Sequence, residues 1–358
     1  MSETPSSTQV ANLHIGEFAP LLSPLELKEQ LPLSQPVTRT VAEARATIRR
    51  ILRGEDRRQL VVIGPCSIHD QEAALEYARR LYGLHQQLGE RLFIVMRAYL
   101  EKPRTTVGWR GFINDPFFDG SFDMSAGLRM ARSLLLEINT IGMPIATEML
   151  DPISPQYLDD QISLATIGAR TSEAQTHRAL ASGVSMPVGF KNGTDGGIQV
   201  AVNACVAASG QHSFLGINEQ GHSAVVKTTG NPDSFVILRG GRHGPNYHEE
   251  HAVQAARLMR EAQIKPAVMI DCSHANVGGD YRLQERVMHN VVEQVVRGVG
   301  PIIGMMVESN IYEGKQPLMA DRAALKYGVS LTDGCISWET TERILHEAHH
   351  ALAQAGNR

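Results

Sequence analysis

Residues 60–97 read LVVIGPCSIHDQEAALEYARRLYGLHQQLGERLFIVMR. Two short apolar runs, LVVIG (60–64) and LFIVM (92–96), enclose a longer stretch of helical period. A run apolar on both sides that leads into a helix is the pattern of a parallel strand and its crossover. The rhythm then continues. Further runs lie at PIATE (144–148), LATIGA (164–169), PVGF (187–190), FVIL (235–238), VMID (268–271) and IIGMMV (302–307), with amphipathic stretches after each. Eight such units in a chain of 358 residues predict a TIM (β/α)8 barrel. An open doubly wound sheet fits the same pattern, because strand order is not visible in sequence.

Two features stand outside the repeat. The segment 211–233 carries weak strand patterns, SFLGI and SAVVKT, and is expected to form a β-hairpin inserted between strands five and six. Residues 1–57 precede the first run and are expected to form an N-terminal arm and helix for oligomer contacts and regulation, with the catalytic barrel at 58–358. A short helix is expected from Pro24. A longer one is expected over TRTVAEARATIRRILRG, where Val41, Ala44, Ile48, Ile51 and Leu52 share a face and Gly54 follows.

Composition narrows the function. Hydrophobic residues make up 42% and charged residues 20%, values of a soluble chain with a sizeable core. The net charge is −4, without a basic block, so no nucleic-acid partner is expected. No apolar run is long enough to span a membrane, and the first residues lack a signal-peptide pattern. Cys66, Cys205, Cys272 and Cys335 are scattered and form no CxxC, which suits a reducing cytoplasm.

Barrel sites are built at the carboxyl ends of the strands. The residues there are Cys66, Arg97, Glu148, Arg170, Lys191, Arg239, His274 and Glu308, with Lys102 and Arg104 just beyond the second run. Arg97, Lys102, Arg104, Arg170, Lys191 and Arg239 are cations directed to one mouth of a net-acidic protein. Such a cluster repels itself unless anions arrive, so the mouth suits small, multiply charged anions. Cys66, Glu148, His274, Glu308 and the nearby Asp333 offer thiolate, imidazole and carboxylate, all ligands for a divalent transition metal. Their spacing alone also fits a buried structural cysteine and a capping aspartate. Gly193, Gly196 and Gly197 are read either as turn residues or as places for close backbone approach. HEAHH at 346–350 matches the H-E-x-x-H pattern, but its histidines face away from the stripe of Leu345, Ala348 and Leu352. It is read as a solvated helix face.

The motifs GPCSIHD, EKPRTTVGWRGFINDP, IGARTSEAQ, GFKNGTDG, ILRGG, SHAN and MVES together resemble class I 3-deoxy-D-arabino-heptulosonate 7-phosphate (DAHP) synthases of the alpha subgroup, from about residue 12 to 345. The resemblance implies a TIM barrel that condenses phosphoenolpyruvate with erythrose 4-phosphate, the first step toward chorismate. It implies one divalent metal ion per chain (Mn, Fe, Co or Zn), held by Cys66, His274, Glu308 and Asp333. Arg97, Lys102, Arg170, Lys191 and Arg239 match the phosphoenolpyruvate site. Arg104 and Thr105, with Asp333, match the erythrose 4-phosphate site. Lys102, Glu148 and His274 are the expected catalytic residues, with Lys102 or a metal-bound water as candidate proton donor.

The same resemblance implies inhibition by an aromatic amino acid, with Pro155, Gln156, Leu180, Ser185 and Phe214 near its pocket, and a homodimer or homotetramer. NLHI, DGSFD, ATEMLDP, SMPVGF, INEQG, DCSH, ESNI and CISWE look most like the tyrosine-sensitive isoenzyme, whereas GGRHGPNYHEEH departs from its usual form. A tryptophan-sensitive isoenzyme, or an enzyme joining phosphoenolpyruvate to another sugar phosphate, are the alternatives. A barrel without catalysis is disfavoured, since all the ligand and cation positions are kept. Cys335 lies two residues past Asp333, so a Cys66–Cys335 disulfide is an expected route of oxidative inactivation, against an inert buried thiol.

Overall fold

A computed structural model describes residues 10–104, 108–319 and 322–356. All eight apolar runs are strands: β1 (Gln59–Gly64), β2 (Leu92–Arg97), β3 (Ile145–Glu148), β4 (Leu164–Ile167), β5 (Val188–Lys191), β8 (Ser234–Leu238), β9 (Val268–Asp271) and β10 (Ile302–Glu308). They close a barrel in the order β1-β10-β9-β8-β5-β4-β3-β2, every pair parallel. The closed order decides between barrel and open sheet. Between β5 and β8, β6 (Ser213–Ile217) and β7 (Ser223–Lys227) form the expected antiparallel hairpin.

Helices alternate with the strands. After α1 (Pro24–Gln30) and α2 (Gln35–Leu52) come α3 (Gln71–Gln87), α4 (Met124–Ile141), α5 (Pro155–Leu158), α6 (Gln175–Ala181), α7 (Gln199–Ser209), α8 (Glu249–Glu261), α9 (Gln284–Val296) and α10 (Trp338–Gly356). Local chemistry sets several ends. Asp70, the last residue of GPCSIHD, caps α3 by accepting from Ala73 N at 3.1 Å. Ser23 and Glu26 cap α1 reciprocally. α4 stops at Gly142, which takes a left-handed φ of 97°.

The core has two parts. One lies between the strands and the surrounding helices. The other fills the barrel, where Leu60, Val62, Phe93, Phe235 and Met306 meet Ala44, Ile48, Ile51 and Leu52 from α2. These α2 residues lie against the first residues of several strands, so α2 plugs the end opposite the strand exits. Ile48 is fully buried, and truncating such a side chain to alanine costs about 2–5 kcal/mol. α1 is tied to the hairpin turn through Leu25 N, which donates to Glu219 O at 2.8 Å. On α10, His346 and His350 are exposed while Leu345 and Ala348 are buried, so the HEAHH stretch is a solvated face.

Candidate active site

The strand exits surround a cavity of about 510 Å³. Lys102, Arg104, Arg170, Lys191 and Arg239 line it, which brings five of the six expected cations together. Glu148, His274 and Asp333 line it as well. Arg97 sits differently. As the last residue of β2 it is fully buried, bonded to Glu308 Oε1 at 2.9 Å and to the carbonyls of Pro65 and Cys66 at 3.2 Å each. Its guanidinium also stacks on the Tyr99 ring, 3.5 Å from the centroid. Thr105 lies outside the described residues.

Three expected metal donors converge from opposite ends of the chain. One ligand atom each of Cys66, Glu308 and Asp333 lie within 4.8 Å of one another. His274 Nε2 is 3.7 Å from Glu308 Oε1, which places the fourth donor beside the group. The β1–β10 register causes this meeting, because it pairs Gly64 with Glu308 and so sets Cys66 next to the end of β10. A soft thiolate with imidazole and two carboxylates suits a borderline divalent cation, and the donor set fits the metal expected from sequence. His274 has a φ of 57°, a left-handed conformation rare for a non-glycine residue.

Electrostatics bind these groups together. Lys102 Nζ donates to Cys66 Sγ at 2.9 Å and lies 3.4 Å from Asp333 Oδ2. Burial works against its ammonium, but Cys66, Glu308 and Asp333 outweigh that and hold its pKa above the usual lysine range. Burial and the neighbouring Glu308 push the Cys66 thiol up to about 11. For Glu308, burial is outweighed by His274, Arg97 and Lys102, and its pKa falls below the usual value. Burial likewise opposes ionisation of Asp333, yet Lys102 and His274 bring it down to about 2. Beside Lys102, the buried Glu101 is pushed up to about 7 by burial and by Asp151, while its Oε2 accepts from Ser154 Oγ at 2.9 Å.

The anion side is built by two loops pressed together. Asn192 Oδ1 accepts from Arg239 N at 2.8 Å, and Asn192 Nδ2 donates to Gly240 O at 3.0 Å. At Gly241 a Cβ would fall 2.2 Å from the Gly196 backbone, so Gly241 must lack one for these loops to touch. Gly196 itself has a φ of 105°, which fits the turn reading. Glu148 Oε1 is buried without a hydrogen-bond partner and lies against Gly168, where a Cβ would come within 2.3 Å. A buried acceptor at a cavity wall wants a donor from substrate or water.

Several site residues escaped the sequence reading. Lys315 lines the cavity from a loop and Tyr281 from a three-residue 3-10 turn (Tyr281–Leu283), and the spacing of neither follows a period. Ser273 Oγ donates to Glu308 Oε2 at 2.8 Å. Asp271 carries a signal of its own, an acid that closes a buried apolar run. The expected effector residues lie elsewhere. Pro155 and Gln156 are on α5, Leu180 is on α6, Ser185 is in the loop after α6, and Phe214 is on β6. The hairpin is tied to the end of α6 by the Ser182 and Thr228 hydroxyls, 2.6 Å apart.

Comparison with known proteins agrees with this geometry. The family model described as the DAHP synthetase I family matches residues 32–346. The Tyr-sensitive phospho-2-dehydro-3-deoxyheptonate aldolase of Escherichia coli K12 is 54% identical over 341 residues, 95% of this chain and 96% of its own length. The Phe-sensitive enzyme of the same organism is 51% identical, over 95% of this chain and 97% of its own. A tyrosine-inhibited enzyme of Candida albicans is 48% identical, over 98% and 96%. The solved structure of phospho-2-dehydro-3-deoxyheptonate aldolase from Francisella tularensis SCHU S4 superposes with a TM-score of 0.92 at 43% identity, covering 95% of this chain and 98% of that one. With the barrel, the convergent exits and these matches in agreement, the chain belongs to the DAHP synthetase I family, whose members are DAHP synthases.

Proposed function

We propose that the chain condenses phosphoenolpyruvate with erythrose 4-phosphate and water to give DAHP and phosphate, and that tyrosine inhibits it. The observation that carries the reaction is the grouping of Cys66, Glu308 and Asp333 within 4.8 Å beside a cavity walled by five cations. Cys66, His274, Glu308 and Asp333 hold one divalent ion, of Mn, Fe, Co or Zn. When bound, that ion supplies Lewis-acid polarisation of the acceptor aldehyde.

The chain's own residues do the rest. Lys102, Arg170, Lys191 and Arg239 take the phosphate and carboxylate of phosphoenolpyruvate, and Arg97 supports them from beneath. Arg104 and Thr105 take the phosphate of erythrose 4-phosphate. Holding both substrates replaces diffusion by fixed orientation. As the third carbon of phosphoenolpyruvate attacks the aldehyde carbon, negative charge grows on the aldehyde oxygen. Lys102, kept protonated by its anionic neighbours, delivers a proton there. Water adds to the second carbon, and Glu148, with its unpaired Oε1, takes a proton from that water. Phosphate then leaves by carbon–oxygen cleavage.

Of the two Escherichia coli K12 enzymes, the Tyr-sensitive one is 54% identical and the Phe-sensitive one 51%, and the Candida albicans enzyme is also named for tyrosine. The effector region is proposed at Pro155, Gln156, Leu180, Ser185 and Phe214. A homodimer or homotetramer is proposed on the exposure of large apolar side chains along the N-terminal segment and hairpin, among them Phe18 (76%) and Leu215 (85%). Among the described residues no helix is long and apolar enough to cross a membrane, and a cytoplasmic location is proposed. The decisive test is an assay with both substrates, with and without chelator, repeated with tyrosine, phenylalanine and tryptophan. Expected are chelator-sensitive loss of phosphoenolpyruvate and inhibition by tyrosine alone. No turnover with erythrose 4-phosphate, but turnover with a five-carbon sugar phosphate, would replace this reading with the alternative acceptor.

A further inference from the structure

Asp271 ends β9 and is fully buried between Lys191 and His274. Its Oδ2 lies 2.9 Å from Lys191 Nζ and 3.0 Å from His274 Nδ1, ion-pair distances without hydrogen-bond alignment. One carboxylate oxygen thus serves the residue expected on phosphoenolpyruvate and the residue expected on the metal. The rest of Asp271 is pinned. Oδ1 accepts from Ser273 N at 3.0 Å, and its carbonyl accepts from Asn276 Nδ2 at 2.7 Å. Asn276 is fixed in turn, since its Oδ1 accepts from Asn246 N at 2.7 Å.

The two contacts have different consequences. Imidazole has two nitrogens, and a carboxylate within ion-pair distance of Nδ1 favours the proton on that nitrogen, which leaves Nε2 free as a ligand. Here Nε2 is the nitrogen that points to Glu308, 3.7 Å away. Lys191 carries its charge on a flexible stem, and a buried anion beside the ammonium keeps it in place at the cavity wall. Without a partner that charge would be costly at its 3% exposure.

We infer that Asp271 is a positioning residue shared by both halves of the site, orienting His274 Nε2 toward the metal donors and Lys191 toward the anion. This rests on the proposed roles of His274 and Lys191.

The test separates the halves. Mn²⁺ affinity is measured by titration calorimetry, and phosphoenolpyruvate affinity is measured on chelator-treated protein. Asp271→Asn keeps the shape and is expected to weaken Mn²⁺ binding about 10–100-fold and phosphoenolpyruvate binding at least about fivefold, with circular dichroism unchanged. His274→Gln is expected to weaken only the metal, and Lys191→Met only phosphoenolpyruvate. If Asp271→Asn shifts either affinity by less than twofold, the shared role is overturned. Should Asp271→Asn fail to fold, the wild-type protein decides. With labelled histidine and bound cadmium, magnetic resonance should show coupling through Nε2, and coupling through Nδ1 would overturn the inference. A wild-type protein that binds no metal, yet still loses phosphoenolpyruvate affinity in Asp271→Asn, would instead overturn the metal reading and the His274 half of this one.

Discussion

Arg97 Nη2 lies 2.9 Å from Glu308 Oε1, and neither side chain is reached by solvent. The pair joins the end of β2 to the end of β10, on either side of β1. A buried ion pair adds little over an apolar replacement of both partners, but removing one partner strands the other. Glu308 is an expected metal donor, so Arg97 holds that donor in place from beneath the cavity.

Replacing Arg97 by methionine leaves Glu308, among the described residues, with Ser273 as its close hydrogen-bond donor and Lys102 as a nearby positive group. Stranding a buried charge costs about 3–5 kcal/mol, and the remaining partners place the expected loss near about 3. Urea denaturation measures it. A loss under about 1 kcal/mol would mean that the other cations already suffice.

Glu101 predicts a pH dependence of stability. Its pKa is pushed up to about 7 in the folded chain, against about 4.3 when unfolded. Between those values the folded chain holds a proton that the unfolded chain has released. Stability from this group is therefore complete below about pH 4.3 and declines until about pH 7. Glu101→Gln should flatten that part of the profile, read as denaturation midpoints at several pH values. An unchanged slope would assign the decline to other groups.

Gly241→Ala should separate the loops after β5 and β8, because its new Cβ meets backbone rather than a movable side chain. Overpacking of this kind costs about 1–3 kcal/mol. Lys191 and Arg239 stand at the roots of these loops, so the KM for phosphoenolpyruvate should rise about tenfold or more. Steady-state kinetics with erythrose 4-phosphate held saturating tests this, and an unaltered KM would refute it.

Arg104→Ala should raise the KM for erythrose 4-phosphate about 10–100-fold with little change for phosphoenolpyruvate, the size of a lost charge-assisted phosphate contact. Lys315 is exposed and well solvated at the same cavity. Lys315→Ala should therefore raise that KM only about two- to fivefold. An equal rise for both substrates in either variant would argue for a general field effect.

Cys66 and Cys335 are both buried and lie on two sides of Asp333. Cys66 Sγ is 3.5 Å from its Oδ2, and Cys335 Sγ is 3.7 Å from its carbonyl. Peroxide acting on chelator-treated protein should oxidise one thiol to a sulfenic acid, which the other displaces to form a disulfide and water. Cys205 and Cys272 should stay reduced. A peptide mass map lacking the 66–335 linkage would support the inert-thiol reading instead.

The barrel was legible because LVVIG, LFIVM and the later runs are apolar on both sides, and only strands between two layers need that. The hairpin was legible in SFLGI, whose period of two differs from its surroundings. Residues placed by strand phase, such as Lys191 and Glu308, could be read as exits. Arg97 could be read as an exit but not as lying under the cavity, because depth depends on how neighbouring strands are staggered. Asp271 is harder to read than His274, since an acid at a strand end looks like a terminus until Lys191 is seen to reach it from β5. Lys315 stands in a loop held by isolated bridges such as Lys315 with Ser330, and such pairing leaves no trace in spacing.

The seam between β1 and β10 closes the ring with the first and last strands, and it has a consequence for synthesis. A chain still emerging from the ribosome can present Cys66 early, yet it lacks Glu308 and Asp333 until nearly all of it has been made. Half-finished polypeptide therefore lacks the assembled donor group, and the thiol must travel unescorted through translation.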